Sequence, residues 1–193
     1  MITRIIQILT APKKEWGVIE GEHAPHAKVF MGYVLPLSLI PAIAAFIGFG
    51  LLGYSAFGVH IHSMSWGIRQ AVVQWITMVG GVYLTAFVVN ILAENFSAKK
   101  DFDQAFSLVA YSYTPMLIGG IFYILPSLSI LAFLAGIYGL YILYVGMQPM
   151  MKAPAEKNTG YFVVSLIATI VVSIVISAIL GAILLRNSLL SGL

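Results

Sequence analysis

Four stretches of this chain, residues 29 to 68, 70 to 93, 104 to 151 and 158 to 185, contain no Lys, Arg, Asp or Glu. A helix rises about 1.5 Å per residue and the hydrocarbon core of a bilayer is about 30 Å thick, so roughly 20 apolar residues cross it. Each stretch is long enough for one crossing. Lipid offers no partner to backbone N–H and C=O groups, so a crossing segment must be helical. The expected fold class is therefore all-α, a polytopic membrane protein. At 9% charged residues, against about 25% in a soluble domain, the chain lacks the polar surface to fold in water.

The runs divide into five spans. Residues 29–53 form the first, before a loop from Tyr54 to Gly67 that holds His60 and His62. The second covers about 69–92. The run from 104 to 151 is too long for one helix, and Leu125-Pro126-Ser127 breaks it into a hairpin of spans at 105–124 and 127–147. A polar loop from Met147 to Thr159 with Pro149 and Pro154 precedes the fifth, 160–185, and residues 186–193 form an external tail. The 29–185 segment is one membrane domain. With the N-terminus cytoplasmic, Arg4, Lys13, Lys14, Lys28, Lys99, Lys100, Lys152 and Lys157 lie inside, and only Arg69 and Arg186 lie outside, at span ends. The positive-inside rule selects that threading, N-terminus cytoplasmic and C-terminus external.

Residues 1–28 form a separate cytoplasmic segment. Ile2, Ile5, Ile6 and Leu9 fall at i, i+3, i+4 and i+7, one stripe of an amphipathic helix. The expected picture is an interfacial helix in the headgroup layer, with Trp16, Lys13 and Lys14 as anchors; a frayed tail is the alternative.

The third span carries Ala110-Tyr111-Ser112-Tyr113-Thr114-Pro115 and then Gly119-Gly120. Pro115 frees the carbonyl of Tyr111, so a kink is expected there, with Ser112, Thr114 or a neighbouring helix satisfying the exposed oxygen. The fourth span ends Leu140-Tyr141-Ile142-Leu143-Tyr144-Val145-Gly146, and the N-terminal segment reads Leu9-x-x-Pro12-x-x-x-Trp16. In their order, over residues 1 to 185, these features resemble the Yip family (Ypt-interacting proteins), in the form of its small bacterial inner-membrane members. Tyr111, Ser112, Tyr113, Pro115, Tyr141 and Gly146 carry that resemblance. Eukaryotic relatives act in Golgi vesicle traffic and bind Rab-type GTPases, largely through a long cytosolic N-terminal region. Here that region has 28 residues, and the Asp-Leu-Tyr-Gly-Pro signature of the eukaryotic branch is missing, so a Rab-type GTPase is not expected as a partner.

Ser165, Thr169, Ser173, Ser177 and Gly181 recur every fourth position along the fifth span, and Ala132, Ala135, Gly136, Gly139 and Gly146 line one side of the fourth. Such stripes let helices pack closely, and lining of a solute path is the other reading. In the second span Gln70, Gln74, Thr77, Gly81 and Thr85 are expected to share an inward face, because an amide facing lipid would go unpaired. That face makes a polar path for a small solute the rival to packing. Glu22, His23 and His26 are the weak metal candidates, set against a polar entry segment in which Pro25 starts the first span.

No ionisable group lies deep in a span, and no metalloprotease, serine-hydrolase or phosphate-loop motif is present, so no enzyme and no cofactor is expected. The net charge of +3 sits in short loops and reads as a topology signal rather than a nucleic-acid face. The expected partners are membrane lipids, other membrane proteins and further copies of this chain. The expected role is organising membrane or membrane proteins, with a channel or permease for a small solute or divalent metal ion as the alternative.

Overall fold

The computed structural model describes residues 1–56, 59–61 and 63–191, with the backbone alone at 54–56, 59–61, 126 and 177–191. Among these residues, five helices are long and apolar enough to cross a membrane: His26–Leu52, Met64–Phe96, Phe102–Ile124, Ser129–Met151 and Ala155–Ile176. The fifth continues helically to Ser191. Ahead of them stand two shorter helices, α1 (Ile2–Thr10) and α2 (Pro12–Glu22). Among the described residues, the one departure from an all-helical fold is a hairpin of β1 (Tyr54–Ala56) and β2 (Val59–Ile61), pairing Tyr54 with Ile61 in the expected loop. His62 lies outside the described residues.

Most boundaries follow from local chemistry. Pro25 precedes the first turn of the first span, and the Ser63 hydroxyl accepts the Trp66 N–H to start the second at Met64. Asp101 accepts the Gln104 N–H to start the third at Phe102. The Asp-x-x-Gln pattern of Asp101 and Gln104 carries that signal in the sequence. Leu128 N–H to Leu125 C=O at 2.8 Å closes the expected hairpin at Pro126.

The polar loop expected from Met147 to Thr159 is corrected to residues 152–154. Pro149 falls inside the helix, in the last turn of the fourth span, where its missing N–H leaves the Val145 carbonyl without a helical donor but does not end the helix. The helix stops at Lys152, in the left-handed region at φ 54°, and the Met151 carbonyl is taken by the Lys99 N–H at 2.7 Å.

Close backbone approach holds the far end of the bundle together. A Cβ added to Gly48 would overlap the Tyr123 carbonyl oxygen and come within 3.0 Å of the Ile124 carbonyl. One added to Gly67 would reach 2.8 Å from Gly50 N. The first span thus lies directly on the second and on the end of the third.

The fifth span leans on the bundle through its first turns. Tyr161 is fully buried and donates to the Val89 carbonyl of the second span; Ser165 is buried, and its Thr169 neighbour donates to the Ser165 carbonyl. Beyond them Ile167, Ile170, Val171 and Ile174 are exposed on the outside of the bundle. The side chains of Ser177 and Gly181, which complete the expected stripe, lie outside the description. Tyr161→Phe is expected to lower stability in detergent by about 1 kcal/mol, the usual worth of an interhelical hydrogen bond, checked by thermal unfolding.

The N-terminal segment does not lie flat across the span ends. The structure places α2 against the fourth span and α1 against the third, as a helical hairpin whose turn lies beside Tyr138, where the Tyr138 hydroxyl donates to the Leu9 carbonyl. From Tyr138 to Met151 the fourth span rises about 20 Å, so the hairpin stands deep along the bundle. The packed edge of α1 runs through Ile5, Ile8 and Leu9, and Ile2 and Ile6 face outward, so the predicted four-residue stripe is split.

Trp16 is likewise corrected from a surface anchor to a core residue. It is completely buried, and its Nε1–H donates to the Ile142 carbonyl at 3.1 Å. A tryptophan is stable at either place if its N–H finds an acceptor, and here a helix carbonyl provides it.

Candidate functional site

Tyr111 is the meeting point of the N-terminal hairpin and the bundle. Its ring packs at 4.7 Å from Tyr33 and 6.5 Å from Trp16, both edge to face, with the Arg4 guanidinium 5.6 Å above it. Arg4 donates one nitrogen to Glu15 and the other to Glu22, tying α1 to both ends of α2. Burial works against the charged guanidinium, but the Glu22 bond and the charges of Glu22 and Glu15 outweigh it and raise the Arg4 pKa. Ion pairs between separate elements leave no periodic trace, so this clamp was not legible in the sequence.

The expected kink is a break. The third span is helical from Phe102 to Ser112, turns at Tyr113 and resumes at Thr114–Gly119. The Tyr111 carbonyl freed by Pro115 accepts the Thr114 hydroxyl at 2.6 Å. Thr114 has one hydroxyl proton and spends it there, so Tyr33, 2.7 Å away, is the donor in their contact. A relay of hydroxyls thus connects the first span to the break in the third. Ser112 donates to the Leu108 carbonyl and Tyr113 meets Thr85 at 3.1 Å. Thr114→Val would leave the Tyr111 carbonyl without its hydroxyl donor and Tyr33 without its acceptor, a loss of about 2 kcal/mol expected in thermal unfolding.

Gly146 and Gly139 serve the same junction. A Cβ on Gly146 would overlap the Trp16 indole and approach Leu108 Cδ1 to 2.6 Å; one on Gly139 would come within 2.7 Å of the Ser112 carbonyl oxygen. Two motifs far apart in the chain, Trp16 and Gly146, are therefore one contact. Tyr141 stands apart, exposed and stacked on Tyr138 at 5.8 Å.

Between the hairpin, the first span and Tyr111 lies a cavity of about 450 Å³, lined among others by Arg4, Glu22, Lys28, Gly32, Tyr33 and Tyr111. It is of the size that holds small ligands. A second cavity, of about 250 Å³, is lined by Gln70 and Gln74 with Phe49, Tyr123 and Ser129. The two share no lining residue.

The expected polar face of the second span is corrected at Thr77. Met78 takes the buried position one turn after Gln74, which turns Thr77 outward to an exposed face. Thr85 is buried, Gly81 faces the Tyr113 hydroxyl, and Gln70 and Gln74 are half-buried at the second cavity.

Nor does the structure bring the metal candidates together. Glu22 is taken by Arg4, His23 Nδ1 lies 2.7 Å from Gln104 Nε2, and His26 Nδ1 lies 2.6 Å from Asp103 Oδ1. Among the described residues no three His, Asp or Glu side chains are grouped to hold a metal ion. The two histidines instead fasten the approach to the first span onto the start of the third. Lys152 similarly donates to Glu20 and holds its carboxyl below the usual range.

Comparison with known proteins gives one family: the model of the Yip1 domain matches residues 6–179. Among curated proteins, the inner membrane protein YohC of Escherichia coli is 26% identical over 121 residues, in strain K12 and in an O6:H1 strain alike. That alignment covers 62% of this chain and 62% of the relative, so the chain matches less than two thirds of the relative's length. No solved structure matches.

Proposed function

Because this chain belongs to the Yip1 domain family, we propose that it is a non-enzymatic multi-pass protein of the inner membrane that gathers membrane-protein partners or copies of itself. The N-terminus is cytoplasmic and the C-terminus external, as the eight cationic residues on one side require. The outward Ile2 and Ile6 keep α1 in contact with lipid. What supports this reading is how the break in the third span and the glycines facing it on the fourth are used. Ser112, Tyr113, Thr114, Gly139 and Gly146 are all engaged in helix packing or backbone hydrogen bonds, which builds a rigid unit rather than a reaction site. Against that unit the exposed Ile and Val face of the fifth span offers a surface to another helix.

Conduction draws less support. A path would need the Gln74 cavity and the Tyr111 cavity to join, and they have no residue in common. Crosslinking in native membranes followed by mass spectrometry tests the proposal: reproducible neighbours or self-links through the fifth span are expected. Recovery of neither, together with solute flux through purified protein in liposomes that Gln74→Leu reduces, would overturn it.

A further inference from the structure

The cavity beside Tyr111 is lined by three cationic groups, the Met1 α-ammonium, the Arg4 guanidinium and Lys28, and by one carboxylate, Glu22. Glu15 bonds Arg4 from outside the lining, and with it counted one positive charge still remains. Arg4 gives one nitrogen to each carboxylate, and a guanidinium has further N–H groups beyond the two so used. Lys28 is exposed and pairs with no carboxylate among the described residues. Tyr111 is 8% exposed, and its hydroxyl has no hydrogen-bond partner among them although it lines the cavity. A buried phenol usually finds one. Donors without acceptors thus border one space, and an anion would satisfy them.

The first span shows which kind of anion fits. Lys28 is the last charged residue before the uncharged run that begins at Val29, and Gly32 follows one turn later. Val29 and Gly32 both line the cavity. Gly32 is exposed, and a Cβ there would meet nothing within 4 Å, so this wall is open one turn along from Lys28. A ligand seated here has its charge among cations and its next atoms against the apolar start of a membrane span.

We propose that this cavity binds the phosphodiester of an anionic glycerophospholipid such as a phosphatidylglycerol. Lys28, the Met1 ammonium and the remaining N–H groups of Arg4 meet the phosphate oxygens. The Tyr111 hydroxyl donates to an oxygen of the same ester, and the first methylenes leave past Gly32. An ammonium-bearing headgroup would bring a further positive charge into a lining that is already net cationic, so selection runs against a zwitterion. This goes beyond the gathering of partners, and neither depends on the other.

Native mass spectrometry of the full-length protein in a non-ionic detergent tests it. The probes are dioleoylphosphatidylglycerol, dioleoylphosphatidylethanolamine and glycerophosphoglycerol, which is the first lipid's headgroup without its chains. Phosphatidylglycerol is expected to be retained roughly tenfold better than phosphatidylethanolamine, and to resist displacement by an equal concentration of glycerophosphoglycerol. Lys28→Gln, which removes an unpaired cation, should lower that retention roughly tenfold, and Gly32→Leu, which fills the open wall, by a similar factor. Both should leave the melting temperature unchanged. Lys14→Gln takes the same charge from an exposed position outside the lining and should leave retention intact. Equal retention of the two lipids, displacement by glycerophosphoglycerol, an equal loss with Lys14→Gln, or retention indifferent to both Lys28→Gln and Gly32→Leu would overturn the proposal.

Discussion

Replacing Gly146 with leucine is expected to detach the N-terminal hairpin from the bundle. The new side chain would occupy the space of the Trp16 indole, and that ring cannot slide away, because it is fully buried and its N–H is bonded to the Ile142 carbonyl. Displacing a buried tryptophan costs about 3 kcal/mol or more, and the Tyr111 contact and the Arg4 clamp lose their support with it. The measurement is thermal unfolding in detergent together with protease access to α2. A double-mutant cycle isolates the contact: in a Trp16→Ala background, Gly146→Ala should cost much less than it does alone. Equal costs in the two backgrounds would show that Trp16 and Gly146 do not meet.

A comparable effect is expected from Gly48→Val, at the opposite end. Here the obstacle is backbone, the carbonyls of Tyr123 and Ile124, and backbone held in a hydrogen-bonded turn cannot yield as a side chain can. Overpacking of this kind costs about 3 kcal/mol at the upper end of its usual range, and the first span must separate from the end of the third to accommodate it. Loss of folded protein on gel filtration is the expected result. Gly80→Val, at a position where a Cβ would meet nothing within 4 Å, is the matched control and should be tolerated apart from the change in helix propensity.

The five spans were legible because lipid leaves the backbone so few choices: absence of charge over enough residues dictates a helix, and Pro126 had to mark the hairpin. The ends were harder. Pro149 looked like a loop residue but lies within the last turn of a helix, and the stop comes from the left-handed Lys152. The N-terminal hairpin was misread for a different reason. Trp16 suits both an interface and a core, and only its partner Gly146, on the fourth span, decides between them. The Tyr111 carbonyl was predictable from Pro115 alone, since the missing donor is a local fact. Arg4 between Glu15 and Glu22, or Asp103 against His26, are meetings between elements, and no spacing in the chain announces them. Among the second-span residues, rotation by one position was enough to exchange Thr77 for Met78 on the inward face.

The chain has no cysteine, so single-cysteine variants report threading without background. Lys14→Cys, Ser65→Cys, Lys100→Cys and Ser127→Cys place one thiol at exposed positions before the first span, at the start of the second, and in the two connections that follow it. With a membrane-impermeant maleimide on intact spheroplasts, Ser65→Cys and Ser127→Cys should label at once, and Lys14→Cys and Lys100→Cys only after permeabilisation. Labelling of Ser65→Cys and Lys100→Cys from the same side, or of Lys14→Cys in intact cells, would contradict five crossings that begin in the cytoplasm.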